Sequence, residues 1–161
     1  MRGRKIARHR HGFTLVELIV VIVLLAIVSL YAASRYIGVA HFSAFAAQEQ
    51  AISIIRQIQV NRMQSNVGSS SSNDNFILAV SSDCIGSVNG CNVSDRSTRS
   101  DVLSFDSVTV TSTPSVSQIT FDLLGNPEGS ASAGVDIRFS ADSSQTDICV
   151  NSQGFVSRGS C

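Results

Sequence analysis

No histidine follows His41, and no proline precedes Pro114. The first absence denies most of the chain the imidazole on which acid–base, nucleophile-activating and zinc-binding sites commonly rely. The second removes the commonest cause of a helix kink from the same stretch. A second long apolar run is also missing. Leu18 to Leu30 is apolar throughout except at Ser29, and no later stretch is long enough to cross a bilayer. An excess of one charge is absent too, because 12 Lys+Arg face 12 Asp+Glu for a formal net charge of +0. At 161 residues the chain has room for one compact domain plus one extended element.

The even charge balance hides an asymmetry. Five of the 12 basic residues (Arg2, Arg4, Lys5, Arg8 and Arg10) precede Gly12, and all 12 acidic residues follow it. Beyond Gly12, seven basic residues face 12 acidic ones, a net charge of about −5. That sign excludes a strongly basic surface there and makes nucleic acid an unlikely partner. Phe13 to Ala33 is 21 residues, which as a helix reaches about 32 Å against a hydrocarbon core of about 30 Å.

In a secretory signal peptide the cleavage site follows the apolar core, whereas Gly12 precedes it. That order predicts a cut that spares the apolar segment; an uncleaved signal anchor is the alternative. The basic leader holds the N-terminus on the cytoplasmic side and sends everything after Ala33 outward, to the periplasm in a two-membrane bacterium. Glu17 then demands an explanation, since an acidic residue near mid-membrane costs about 2.5 to 3.5 kcal/mol. It sits four residues after Phe13, near the positive end of the helix and any amine exposed there.

The run Gly12-Phe13-Thr14-Leu15-Val16-Glu17-Leu18 resembles the cleavage and methylation motif of type IV prepilins and type II secretion pseudopilins. The resemblance implies cutting between Gly12 and Phe13 by a prepilin peptidase, with N-methylation of Phe13. It places Glu17, with Thr14 beside it, in subunit assembly, Glu17 pairing with the Phe13 amine of a neighbour. The implied partners are the peptidase/N-methyltransferase, other major and minor pilins, an inner-membrane assembly platform and membrane lipid. Pilins frequently carry a proline near the position of Ser34; its absence leaves Gly38 as a weaker soft point and leans towards a minor pilin or pseudopilin.

Ser34 to Asn66 keeps helical composition, with Phe45, Ile52, Ile55 and Met63 on one face and Ile58 widening it. Gln48, Glu49, Gln50, Arg56, Gln57, Gln59, Asn61 and Arg62 supply the polar side. Phe45 and Ile52 are expected to pack in the core. Ser65 to Asn75 reads as a loop. Short strands are expected at Phe76 to Val80, Val102 to Phe105, Val108 to Thr111, Gln118 to Leu123, Val135 to Phe139 and Ile148 to Val150, paired mainly antiparallel. Gly125-Asn126-Pro127-Glu128-Gly129 marks a turn between the fourth and fifth.

The expected fold is therefore α+β, a type IV pilin fold. Its organisation is a leader at 1–12, a membrane half of the helix at 13–33, an amphipathic half at 34–66 and a β-domain at 67–161. Ile119-Thr120-Phe121 followed by Gly125, then Val135-Asp136-Ile137, and Ile148-Cys149-Val150 followed by Gly154 are similar to minor pilins and pseudopilins of the GspH and FimT type. The helix from Gln48 to Gln64 is similar to minor pilins of the mannose-sensitive haemagglutinin (MSHA) pilus of vibrios.

Cys84, Cys91, Cys149 and Cys161 fall on the outer side, where disulfides persist, and three connectivities are possible. Pairing Cys84 with Cys91 and Cys149 with Cys161 closes two local loops, and pilins commonly tie down a C-terminal region in this way; a crossed pairing is the alternative. Neither cysteine pair has metal-ligand spacing, so no metal or other cofactor is expected. No catalytic residue is expected either. His9 and His11 belong to the leader, His41 has no nucleophile motif near it, and Asp101, Asp106, Asp122 and Asp136 are scattered among strands and turns. Arg96, Arg99, Arg138 and Arg158 are the candidates for any DNA contact. The reading is a non-enzymatic minor pilin active in pilus initiation and assembly. A GspH-like pseudopilin and a DNA-binding minor pilin are the alternatives.

Overall fold

A computed structural model describes residues 13–68 and 73–161, apart from the side chains of 33–42. Gly12 and the leader, Ser69 to Ser72, the side chains of Ser34 and His41, and the surroundings of Gly38 lie outside the described residues. The chain divides into two compact units, Met1–Gly38 and Val39–Cys161, and helix α1 (Leu15–Met63) contributes to both.

In the first unit α1 starts on Thr14. The Thr14 Oγ1 accepts from the Glu17 N–H at 3.2 Å, and the Leu18 N–H reaches the Thr14 carbonyl at 3.2 Å. Thr14 is thus the N-cap, and Glu17 lies in the first turn, where the helix dipole favours an acid. Ser29 donates to the Leu25 carbonyl at 2.7 Å, so its hydroxyl is satisfied within the apolar run. Leu15–Ala32 has a mean hydropathy of 2.9 and no residue buried.

In the second unit the later part of α1 packs on two four-stranded sheets. The elements follow as β1 (Leu78–Ser81), β2 (Cys84–Ser87), α2 (Val88–Asn92), β3 (Val102–Ser104), β4 (Thr109–Thr113) and β5 (Gln118–Ile119). After a short 3-10 helix (Gly129–Ala131) come β6 (Gly134–Ala141), β7 (Ser144–Asn151) and β8 (Val156–Arg158). One sheet has the order β3-β2-β1-β5 and the other β4-β6-β7-β8, all pairs antiparallel. Period-2 alternation turns Val135, Ile137 and Phe139 inward and Asp136 and Arg138 outward. Both sheets share one core with the helix, and the other side of the first sheet covers a smaller cluster of Ile77, Ala79 and Val88 beside α2.

The helix face differs from the expected one. Ile52, Ile55 and Ile58 are buried, but Phe45 and Met63 are each 48% exposed, and Ala44, Ala47, Ala51 and Ile54 point inward instead. Weighting large apolar residues centred the expected stripe too far round the helix. Alanine at the closest contacts lets the helix backbone approach the strands. Gln48, Gln59 and Arg62, expected on the polar side, are buried as well.

Strands β2 and β8 and helix α2 were not expected, since Cys84-Ile85-Gly86-Ser87 has turn-like composition and β8 is only three residues long. The Gln118–Leu123 strand is cut to Gln118–Ile119, because Thr120 to Leu123 leaves the sheet and only Phe121 pairs, in an isolated bridge with Pro127.

The chain after β5 and the chain after β7 form the same turn. Asp122 Oδ1 accepts from the N–H groups of Leu124 and Asn126, both at 2.8 Å, and the Gly125 N–H returns to the Asp122 carbonyl at 3.2 Å. Asn151 Oδ1 accepts from Gln153 and Phe155, both at 2.9 Å, and the Gly154 N–H returns to the Asn151 carbonyl at 2.9 Å. Each turn has its glycine at the fourth position with positive φ, 85° at Gly125 and 75° at Gly154.

The turns lie against each other so closely that a Cβ on Gly154 would stand 2.1 Å from the Gly125 carbonyl oxygen. Gly154→Ala is therefore expected to destabilise the fold by about 2 kcal/mol or more, combining a left-handed φ with a backbone clash. Urea unfolding of the full chain in detergent micelles checks this, and an unchanged midpoint would refute the close approach.

Candidate functional site

The first unit presents an exposed apolar helix whose described side chains, Leu15–Ala32, include one charge, Glu17. Phe13 is 83% exposed and Leu15 73%, and the leucines, isoleucines and valines that follow are exposed on every side. The Glu17 side chain is exposed, and its carboxylate has no partner among the described residues. The Thr14 hydroxyl is occupied in capping, which fixes Glu17 at the third position of the helix. Such a segment has no stable home in water and suits a bilayer or a bundle of similar helices.

The second unit holds α1 by a polar seam. Gln48 donates to the Asp147 carbonyl, Arg56 Nη2 to Val156 O at 2.9 Å, and Gln59 Nε2 to both Gly125 O at 3.0 Å and Gly154 O at 2.8 Å. Arg62 donates from Nε to Phe121 O at 3.0 Å and from Nη1 to Val67 O at 2.7 Å and Ser65 Oγ at 2.8 Å. It is buried in the last turn of α1, where the helix dipole favours a cation. Periodicity alone assigns these side chains to solvent; only the partners of Gln59 carried a sequence signal, the repeated Asx-to-glycine spacing at Asp122–Gly125 and Asn151–Gly154.

Each candidate DNA-contacting arginine is matched by a carboxylate. Arg96 pairs with Asp83 at 3.1 Å, Arg99 with Asp101 at 2.6 Å, Arg138 with Asp147 at 2.7 Å and Arg158 with Glu49 at 2.5 Å. Arg96 and Arg99 lie in the loop between α2 and β3, whereas Arg138 on β6 and Arg158 on β8 face opposite sides of the second sheet, Arg158 towards Glu49 of α1, so the four form no common patch. The Arg99 guanidinium holds the Asp101 carboxyl below the usual aspartate range, and Ser87 Oγ also donates to it. Arg96 lowers Asp83 and Arg158 lowers Glu49 in the same way.

Cys84 is bonded to Cys91 and Cys149 to Cys161, at 2.01 and 2.05 Å. The first bridge ties α2 to β2, and the second lays the C-terminal residues over β7. Asp136, Cys149 and Cys161 form the one cluster with metal-ligand proximity among the described residues, and both its sulfurs are in the bridge. The scattered aspartates have separate tasks. Asp101 joins Arg99 and Ser87, Asp122 caps a turn and Asp136 accepts from the Cys161 N–H.

A family model described as the prokaryotic N-terminal methylation motif matches residues 7–33. No curated protein and no solved structure gives a significant match to the chain. The motif supports a type IV prepilin-like protein, a pilin or pseudopilin, and indicates a structural subunit that assembles with other pilins. The apolar helix followed by antiparallel sheets is an α+β layout consistent with the type IV pilin fold, and the helix fits a membrane anchor.

The Asp101 ion pair generates a pH dependence. A carboxyl lowered in the folded state contributes stability that is full above its unfolded value, about 3.9, and is lost as pH falls through the folded value. Asp101→Asn is expected to lower the urea midpoint at pH 7, with the gap to wild type narrowing below about pH 4. A gap of the same size at pH 3 would remove Asp101 as an acid-sensitive contact.

Proposed function

We propose that the chain is a minor pilin of a type IV, MSHA-like pilus, similar there to minor pilin C, and that it acts in initiation and assembly through its N-terminal helix. The observation that carries this reading is the helix exposed on every side over Leu15–Ala32, joined to the methylation motif and holding a single acid, Glu17.

On this reading the peptidase cuts between Gly12 and Phe13 and the new Phe13 amine is methylated, which keeps it a cation. The subunit waits in the inner membrane, with the β-domain in the periplasm, until the assembly platform moves it among other pilins. Glu17 then lies in a medium where an uncompensated carboxylate is costly, and the Phe13 amine of a neighbour cancels its charge. Only one axial offset between two helices brings the groups together, so the pair sets register. Thr14 acts on the same event by fixing where the helix begins. The matched arginines favour assembly over DNA binding.

Glu17→Val is expected to leave the protein in the membrane fraction and to cut its incorporation into sheared filaments at least tenfold. Incorporation at the wild-type level would end the pairing role. A strain lacking the gene is expected to lose surface pili; normal piliation with impaired protein secretion would assign the chain to a secretion pseudopilus.

A further inference from the structure

The bridge that fastens the C-terminal residues lies beside a carboxylate. Asp136 on β6 stands directly opposite Cys149 on β7. One of its carboxylate oxygens is within 4.8 Å of the sulfurs of both Cys149 and Cys161, and its Oδ1 accepts the Cys161 backbone N–H at 2.6 Å. The nearby cation, Arg138, is engaged by Asp147 through contacts of 2.7 and 3.3 Å. The balance of these three charges is negative at the bridge. Cys161 is exposed, which by itself would invite thiol attack.

The surroundings of Cys84–Cys91 are different. Cys84 is fully buried, and Arg96 donates to the Cys91 carbonyl at 3.1 and 2.7 Å while pairing with Asp83. Its neighbouring charges balance.

We propose that Asp136 guards the Cys149–Cys161 bridge against thiol exchange. In that exchange a thiolate attacks one sulfur and forms a mixed disulfide, while the other cysteine sulfur leaves as a thiolate. With a dithiol reductant, its second thiolate closes a ring and expels the remaining cysteine thiolate. Two electrons pass from the dithiol to the cystine. Attacking and leaving groups are both anions, so a fixed carboxylate this near opposes each of them. The bridge keeps in place a segment with three further attachments: Val156 O to Arg56, Arg158 to Glu49, and the Gly159 N–H to Asp147 O at 2.8 Å. Asp136 therefore protects the point from which that segment would peel away.

The test is timed reduction of the full chain in detergent with dithiothreitol, alkylation at intervals, and mass mapping of each bridge. Asp136→Asn keeps the acceptor for the Cys161 N–H and removes the charge. It is expected to open Cys149–Cys161 about fourfold faster or more than wild type, with Cys84–Cys91 unchanged as the internal reference. Raising salt is expected to speed wild-type opening of Cys149–Cys161 relative to the reference bridge, by screening the carboxylate. A wild-type rate in Asp136→Asn, an equal acceleration of both bridges, or a rate ratio that ignores salt would overturn the proposal.

Discussion

The second unit depends on the Gln59 amide. One nitrogen supplies both hydrogens to carbonyls that belong to two separate turns, at Gly125 and Gly154, 66 and 95 residues away along the chain. Neither carbonyl has a strand partner, and a buried acceptor left unpaired would cost about 1–3 kcal/mol. The helix therefore satisfies what the sheets leave open. Gly154 must lack a side chain for the turns to come close enough to share one donor.

This arrangement gives α1 a position as well as adhesion. Alanines and isoleucines along its buried face are non-directional, and a helix resting on them alone could slide or rotate at small cost. Gln48, Arg56, Gln59 and Arg62 each address a particular carbonyl, so displacement by one turn breaks all four sets of bonds at once. The first unit uses the opposite strategy. Over Leu15–Ala32 its side chains are exposed and largely apolar on every side, and among them Glu17 alone is charged.

Much of this was legible in the sequence because its cause is local. The apolar run, the basic residues ahead of Gly12 and the alternation at Val135–Phe139 each act within a few residues. The antiparallel pairing followed from short connections. What was illegible acts at long range. Gln48 and Arg62 look like surface residues until their carbonyl partners, 99 and 59 positions away, are brought beside them. Phe45 looked like core because size was weighed and the close approach made by Ala44 and Ala47 was not. Strand β2 hid behind a glycine and a serine whose place in a sheet comes from neighbours on both sides. Arg158 read as part of a possible patch because its carboxylate, at Glu49, is 109 positions away in sequence, whereas Asp101 stands only two residues from Arg99.

The double donation by Gln59 also bears on chemical ageing. Hydrolysis of that amide would replace a nitrogen bearing two hydrogens with an oxygen bearing none, and the side chain would turn a negative charge towards two carbonyl oxygens. Shape would hardly change, yet attraction would become repulsion at the point where helix and turns meet. Gln59 is only 7% exposed, yet with Gly125 and Gly154 it lines an open pocket, so the fold limits the water that such a reaction consumes without excluding it. The contact that most needs its nitrogen therefore stands at the edge of the water that could remove it.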